Sequence, residues 1–347
     1  MAEPLLYRHI VIKDVRTLWV LQCSLSTKRQ PNGALAGAWT RKITVAKMPS
    51  HLCAAYHKSL RNVILLCPNL ESFCVLGRAW RHDGRPEITE DIFKALPDHL
   101  RMCAWADLSE TVDLNQFLKS CSFFSMLEHL RLRRLWVFGG VQIIPRLPRL
   151  RSLSFLSRIA TYRIAQWDLP SLVWLEISVE SDVWVKELSS FFFKHGKKLE
   201  FLQLVSGDSE PPLVLPPRHY IKIPLGFFRY FPLLSCFSVD PTWVLDSIEE
   251  LDEIPAVPHG NLTTLHILGS GSQHGSSRSC GEFIRSTFVA HQNLFPKLKV
   301  ISFTINGECI VVPMFYPWFC ADVRPTREEV AKLGDEFSFL LIDRAYS

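Results

Sequence analysis

One short apolar pattern recurs along the chain and limits the folds open to it. The pattern is Leu-x-x-Φ-x-Φ, in which Φ is any apolar residue, and its first clear copy is Leu70, Phe73 and Val75. Alternate residues point to the same face of a strand, so each Φ-x-Φ pair predicts a short strand with one buried face. Further clear copies begin at Leu127, Leu150, Leu172, Leu199, Leu234, Leu262 and Leu298, and looser ones contain Ile43 with Val45 and Leu100 with Cys103 and Trp105.

The spacing of these copies indicates the fold class. The leading leucines are 57, 23, 22, 27, 35, 28 and 36 residues apart, and the looser copy at Leu100 divides the longest interval. Leucine-rich repeats run about 20–29 residues, so the central copies have that period and the flanking ones carry insertions. Apolar residues at helical spacing predict outer helices over 49–67, 114–126, 182–198 and 281–293. We therefore predict an α/β, irregular leucine-rich-repeat-like solenoid, a horseshoe with a parallel strand stack and outer helices.

Composition is consistent with one large folded body. The chain has 347 residues, of which 48% are hydrophobic and 21% charged, so it can bury a sizeable core. We expect a single solenoid over 1–347, with a Pro-rich insertion at 206–224 and a C-terminal cap over about 305–347. The formal net charge of +5 is mild for this length and only weakly favours a nucleic-acid partner.

Cysteine usage and hydropathy predict a compartment. The ten cysteines form no CxxC pair, and no signal peptide pattern precedes them. A reducing compartment, the cytoplasm or nucleus, is therefore expected. The most apolar stretch, 309–320, is shorter than the roughly 18 residues that a membrane span needs and contains Pro313 and Pro317, so we expect no membrane association.

Three phrases resemble a known family. They are LLYRHIVI at Leu5–Ile12, LLCPNLESFCVLG at Leu65–Gly77 and NLFPKLKVISF at Asn293–Phe303. Together with the irregular repeats they resemble the fungal F-box/leucine-rich-repeat-like proteins. The resemblance implies that the repeats recognise a protein, which intact relatives deliver to a cullin–RING ubiquitin ligase through an Skp-type adaptor. The Leu-Pro-x-Glu-Ile helix of an F-box does not precede Leu5, so we expect an F-box remnant or seam at 1–8 and no binding of the adaptor by this chain.

Catalytic and metal-binding patterns are weak. The glycine-rich stretch 268–282 lacks the GxGxxG spacing, and it also lacks the Lys-Ser/Thr of a phosphate-binding loop. We predict that it is an insertion between two repeats. His274 and Cys280 within it have no orienting acid that the sequence identifies. His51 and His57 are six residues apart, not four as in a zinc-binding helix, and are expected to be partly exposed. We expect no catalytic residue, no metal site and no cofactor.

The largest charge anomaly is a run of arginines between His129 and Trp167, a segment without any acid. One interpretation is a basic patch for an acidic protein, RNA or a phosphorylated peptide. The other is a solvated face whose arginines pair with acids elsewhere in the chain, such as those in 246–253. A protein partner is favoured over nucleic acid, because the aromatic residues read as core. The arginines are Arg131, Arg133, Arg134, Arg146, Arg149, Arg151, Arg158 and Arg163.

The residue between the two Φ positions is expected to face outward on the concave sheet. Mixed polarity with a Trp and an Arg cluster is typical of a protein-binding surface, since Trp, Tyr and Arg contribute most of the energy at interfaces; a merely hydrated sheet is the alternative. The expected outward set is Cys74, Ala104, Arg131, Ser154, Glu176, Gln203, Ser238, His266 and Ser302. The predicted partner-binding residues are His129, Arg131, Arg133, Trp174, Glu176, Phe201, Gln203 and His266.

The sequence is therefore consistent with two functions. The first is a non-catalytic protein-recognition module that resembles the substrate-binding part of an F-box protein, with the partner on the concave or basic face. The second is a hydrolase or transferase whose site no motif reveals. A strand stack that runs in one direction favours the first, and a compact Rossmann-like or barrel body would favour the second.

Overall fold

The computed structural model describes two compact units of the chain, Met1–Leu172 and Val173–Ser347. In both units parallel strands follow one another in chain order, which confirms the predicted α/β solenoid of leucine-rich-repeat type within each unit. The extension of one solenoid over 1–347 stays a prediction. The described residues are 7–27, 33, 35–46, 54–76, 87–105, 114–133, 144–156, 164, 166–179, 183–206, 225–239, 257–268, 288, 291–305 and 308–313.

The described part of the first unit contains six strands, each paired in parallel with the next. A parallel pair needs a crossover segment that returns over one face of the sheet. The strands are β1 His9–Ile12, β2 Lys42–Val45, β3 Ser72–Val75, β4 Met102–Trp105, β5 His129–Arg133 and β6 Ser152–Leu156.

Within its described residues, the second unit contains five strands paired in parallel in chain order and one further strand of opposite direction. Its last strand pairs antiparallel with the one before it and is the described part of the predicted C-terminal cap. The strands are β7 Trp174–Val179, β8 Phe201–Ser206, β9 Cys236–Val239, β10 Thr264–Leu268, β11 Val300–Ile305 and β12 Glu308–Pro313.

Helices form part of the return segments. Those of the first unit are α1 Val15–Thr27, α2 Ala54–Leu65, α3 Glu87–Ala95 and α4 Leu114–Ser120, and the second unit contains α5 Val183–His195. Helices α1 to α4 pack against one another in chain order. Asp14 caps α1 by accepting a hydrogen bond from the backbone N–H of Thr17 at 2.6 Å. None of the described helices is long and apolar enough to cross a bilayer.

Most predicted helices are confirmed. The ranges 49–67, 114–126 and 182–198 contain α2, α4 and α5, and short 3-10 turns follow α4 and α5. Most of 281–293 lies outside the described residues, as do nearly all of the 206–224 and 268–282 insertions. Helices α1 and α3 were not predicted. His57 was expected to be partly exposed, but it faces the core from α2 at 3% exposure.

The Φ positions form the apolar core. Ile43, Phe73, Leu130, Leu175 and Leu265 are each 1% exposed or less, and their Φ partners two residues later are buried as well. All the leading leucines are buried too. The Leu-x-x-Φ-x-Φ prediction is therefore confirmed, because both Φ side chains lie on one face of each strand and the leucine closes the turn before it.

A tight turn precedes most strands and repeats with the leucines. The backbone N–H of the leading leucine donates to the carbonyl three residues earlier, as from Leu70 to Cys67 at 3.1 Å and from Leu234 to Phe231 at 3.0 Å. One repeat differs, because Leu262 N–H donates instead to Nδ1 of His259 at 3.0 Å. The other ring nitrogen, Nε2, lies 2.6 Å from the carbonyl oxygen of Phe231. His259 thus links the turns of two successive repeats through a single buried ring.

Candidate partner-binding face

The strand face is the side of each sheet that lies opposite the apolar core. In each unit it carries two rows of side chains that run across the strands. We define the outer row as the first position of the paired register and the middle row as the position two residues later. In the second unit the outer row is Trp174, Phe201, Cys236, Thr264 and Val300, and the middle row is Glu176, Gln203, Ser238, His266 and Ser302.

Two aromatic rings on neighbouring strands dominate this outer row. Trp174 and Phe201 are register partners on β7 and β8. Their ring centroids are 5.0 Å apart and the ring planes differ by 10°, so the rings stack face to face. Both residues are partly exposed. We call this pair the aromatic ledge; it is a rigid apolar surface, because each ring is held by its neighbour and by a strand.

The middle-row residues next to the ledge were expected to face solvent, but they are buried. Glu176 is 6% exposed and Gln203 is 4% exposed. The Gln203 amide Nε2 donates to Glu176 Oε1 at 3.0 Å. Both side chains follow a large ring on the same strand face, since Glu176 is two residues after Trp174 and Gln203 two after Phe201. Because both are buried, these two predicted contact residues are not surface groups.

The rest of the middle row is polar and mostly buried as well. His266 is partly exposed, and its Nδ1 lies 2.5 Å from the hydroxyl of Ser302. Ser238 between the two halves of the row is fully buried. In the first unit, Cys74, Ala104 and Ser154 are each at most 4% exposed. Neighbouring strands are only about 4.8 Å apart, so a short side chain in such a row is crowded by the side chains on either side. A side chain that points away from the core can therefore still be buried.

The strand face of the first unit is basic where the second is aromatic. Its outer row is His9, Lys42, Ser72, Met102, His129 and Ser152, and its middle row is Val11, Thr44, Cys74, Ala104, Arg131 and Ser154. His129 is exposed and Arg131 is partly exposed, as predicted for contact residues. Arg133 ends β5, but its side chain lies outside the described residues. Burial and the Lys42 charge lower the pKa of His9, whose Nε2 is 3.0 Å from the Thr44 hydroxyl.

One ion pair is seen at the described arginines of the run. Arg146 forms an ion pair with Asp168 at 3.3 Å, and that acid lies one residue beyond the acid-free segment. Arg149 and Arg151 are exposed. Arg134, Arg158 and Arg163 lie outside the described residues.

A row of alternating charges was not predicted from the sequence. The residues just before β2 to β6 alternate in sign as Arg41, Glu71, Arg101, Glu128 and Arg151. Ion pairs join Arg41 to Glu71 at 3.7 Å and Arg101 to Glu128 at 3.8 Å. We call these five residues the flanking row. The signal was present in the sequence, because each of these residues directly precedes a strand, but it becomes visible only when the repeats are aligned by their strands.

Five of the described cysteines have raised thiol pKa values. Burial raises the pKa of Cys67 and Cys236 to about 11 and raises those of Cys74, Cys103 and Cys121 as well. These thiols are protonated at neutral pH, and the thiolate is the nucleophilic form. His274 and Cys280 lie outside the described residues. Within the described part of the chain, no three His, Cys, Asp or Glu residues are grouped so that they could hold a metal ion.

Comparisons with known proteins add little. No family model matches the chain, and no curated protein matches it either. Among solved structures it is similar to the leucine-rich repeat-containing protein LegL7 from Legionella pneumophila, at 10% identity and a TM-score of 0.41, over 95% of this chain and 97% of that one. A likeness at this level shows neither a family nor a partner. The fold assignment rests on the strand order, the register and the buried leucines.

Proposed function

We propose that this chain is a non-catalytic protein-recognition module and that its strand face, centred on the aromatic ledge, contacts the partner. The observation that carries the proposal is the partly exposed, stacked pair of Trp174 and Phe201 on the face opposite the core. Interface energy is concentrated in large side chains, with Trp, Tyr and Arg enriched among them. A stacked pair on adjacent strands loses little conformational freedom on binding, so most of its contact energy is retained.

The surroundings of the ledge support an apolar contact. Cys236 is the next residue along the outer row, and its thiol is protonated because burial raises its pKa to about 11. Glu176 and Gln203 lie next to the ledge in the middle row and satisfy each other through a buried hydrogen bond. A partner that places an apolar side chain against Trp174 and Phe201 therefore meets rings and a neutral thiol, with the buried carboxylate already paired.

The enzyme alternative has less support. It called for a compact Rossmann-like or barrel body, whereas the strands of each unit follow one another in chain order. The buried thiols, whose pKa values are raised, are poor nucleophiles. The recognition proposal needs only the rigid surface that is present.

The finer part of the proposal concerns the pathway. The phrases at Leu5–Ile12, Leu65–Gly77 and Asn293–Phe303 resemble the repeat portion of fungal F-box proteins. We propose that the ledge corresponds to the substrate-binding surface of such a protein, which serves a cullin–RING ubiquitin ligase. A pull-down with purified Skp-type adaptor tests the related expectation that the chain does not bind the adaptor by itself. Capture of the adaptor would contradict that expectation without affecting the ledge.

Comparative affinity capture tests the function. The wild-type chain, a Trp174→Ala/Phe201→Ala variant and a Phe193→Ala variant are each immobilised, and the proteins retained from one lysate are quantified. Phe193 on α5 is the matched control, because it is an aromatic residue of the same unit at 72% exposure. We expect specific proteins to be retained by the wild type and by Phe193→Ala and to be lost, by tenfold or more, with the double variant. Equal retention by all three chains would overturn the proposed site.

A further inference from the structure

The first unit carries a concentration of positive charge around β5 that the aromatic ledge does not use. Arg101 and Arg151 are exposed in the flanking row on either side of Glu128, and Arg149 is exposed in the turn before Arg151. Arg131 lies on β5 itself. We call Arg101, Arg131, Arg149 and Arg151 the basic patch. Within the described part of the chain, the two rows of this strand face contain no carboxylate.

Backbone hydrogen bonds fix the spacing of the charges. The carbonyl oxygen of Arg101 accepts bonds from the N–H groups of Glu128 and His129 at 2.8 and 3.0 Å. The carbonyl oxygen of Glu128 accepts in the same way from Arg151 and Ser152 at 2.9 and 3.1 Å. Arg101, Glu128 and Arg151 are therefore successive positions across three strands. Neighbouring strands are about 4.8 Å apart, which places the backbones of the two arginines about 9–10 Å apart.

The acid between the arginines restricts what can bind. Glu128 is partly exposed and pairs with Arg101 at 3.8 Å, a long contact between groups that water reaches. An exposed pair of this kind is weak, so Arg101 can exchange its partner at small cost. A phosphate group placed midway between Arg101 and Arg151 would approach the Glu128 carboxylate and be repelled. Two separate carboxylates, one at each arginine, can lie farther from Glu128 and are repelled less. Glu71, on the other side of Arg101, is paired with Arg41.

We propose that the basic patch binds an acidic peptide segment of a partner protein, with carboxylates three residues apart. In a polyproline II conformation, residues i and i+3 lie on the same side and about 9 Å apart, which matches the separation of Arg101 and Arg151. Nucleic acid fits less well, because the neighbouring outer-row and middle-row residues on β4 and β6 are Met102, Ala104, Ser152 and Ser154. The only aromatic ring between them in the described rows is the imidazole of His129 on β5, and a single small ring is a poor platform for successive stacked bases. The basic patch belongs to the first unit and shares no residue with the ledge of the second, and the proposal does not depend on the ledge.

Defined probes test the proposal by fluorescence anisotropy. The main probe is a fifteen-residue labelled peptide of five Glu-Pro-Pro repeats. The comparison probes are a peptide of the same composition with its five glutamates in one block, a phosphoserine peptide of equal charge and a single-stranded RNA of equal charge. The repeat peptide is expected to bind at least threefold more tightly than the block peptide. General electrostatic attraction predicts the opposite order, since the block has the higher charge density. Tighter binding of the phosphopeptide, RNA or block peptide would overturn the proposal.

Variants locate the contact. Arg101→Gln/Arg151→Gln is expected to weaken binding of the repeat peptide by at least tenfold, and Arg101→Lys/Arg151→Lys to retain most of it. Arg8→Gln is the matched control, because Arg8 is an exposed cation before β1 on the same edge. Glu128→Gln is expected to tighten binding, since it removes the repulsive carboxylate and releases Arg101. Equal losses with Arg8→Gln, or weaker binding with Glu128→Gln, would contradict the assigned contact. Trp174→Ala is expected to leave binding of this peptide unchanged, which separates this test from that of the ledge.

Discussion

Individual residues show how closely successive repeats approach each other. A Cβ atom added at Gly196 would lie 2.5 Å from the carbonyl oxygen of Tyr230 and 3.1 Å from the ring of Phe231. Backbone cannot move away as a flexible side chain can, so Gly196→Ala forces two repeats apart. Overpacking of this kind typically costs about 1–3 kcal/mol of unfolding free energy. Gly260→Ala is the control, because nothing lies within 4 Å of its Cβ position. Urea denaturation of both variants measures the difference, and an equal effect would contradict this packing.

The ring of His259 gives a second prediction at this scale. His259→Ala removes the acceptor for Leu262 N–H and the group beside the Phe231 carbonyl. Leaving buried polar groups unpaired costs about 1–3 kcal/mol for each group. Asparagine can place an oxygen near the position of Nδ1, so His259→Asn is expected to recover part of the lost stability. The midpoint of thermal unfolding measures this order, and an alanine variant as stable as the wild type would show that the ring makes no net contribution.

Two cysteines are expected to differ in thiol reactivity. The pKa of Cys236 is raised to about 11 by burial, whereas Cys23 is exposed on α1. An increase of about two pKa units leaves about a hundredfold less thiolate at pH 8. We therefore expect iodoacetamide to alkylate Cys236 far more slowly than Cys23, as measured by peptide mass spectrometry. Because the folded-state pKa is above the unfolded value, this thiol stabilises the fold below pH 9, and its contribution is lost as pH rises from about 9 to 11.

At the scale of single elements, the alternation along β5 decides between core and surface. Leu130 is 1% exposed, while its neighbour His129 is exposed. Leu130→Ala is expected to reduce the unfolding free energy by about 2–5 kcal/mol, as core truncations do. His129→Ala is expected to change it by less than about 0.5 kcal/mol. Thermal melts of the two variants test the register, and the reverse order would place the wrong face of β5 inward.

The strands could be predicted from the sequence, and the properties of the strand face only in part. The inward positions of Leu130 and Leu175 could be predicted because alternate residues of a strand point to the same face and the repeat pattern shows which of them are apolar. The burial of Glu176 and Gln203 could not, because it depends on contacts between side chains of different repeats. The flanking row was missed for a similar reason, since Arg101 and Glu128 become neighbours only when repeats of unequal length are stacked. Contacts between repeats are therefore the part that spacing alone does not predict.

At the scale of the whole molecule, the strand face of the first unit and the strand face of the second differ in chemistry. The first unit offers Lys42 and Arg131 without a carboxylate in its two described rows. The second offers Trp174 and Phe201 next to a buried, paired Glu176.

Site-specific photo-crosslinking tests the central claim, that the ledge is where a partner binds. A photoreactive phenylalanine analogue replaces Phe201 in one version of the chain and Phe193 in another, and each is expressed in cells and irradiated. We predict a discrete covalent adduct with another protein from position 201 and none from position 193. The adduct should disappear when Trp174→Ala is added, because the remaining ring loses its stacking partner. Adducts of equal yield from both positions, or from position 193 alone, would contradict the claim.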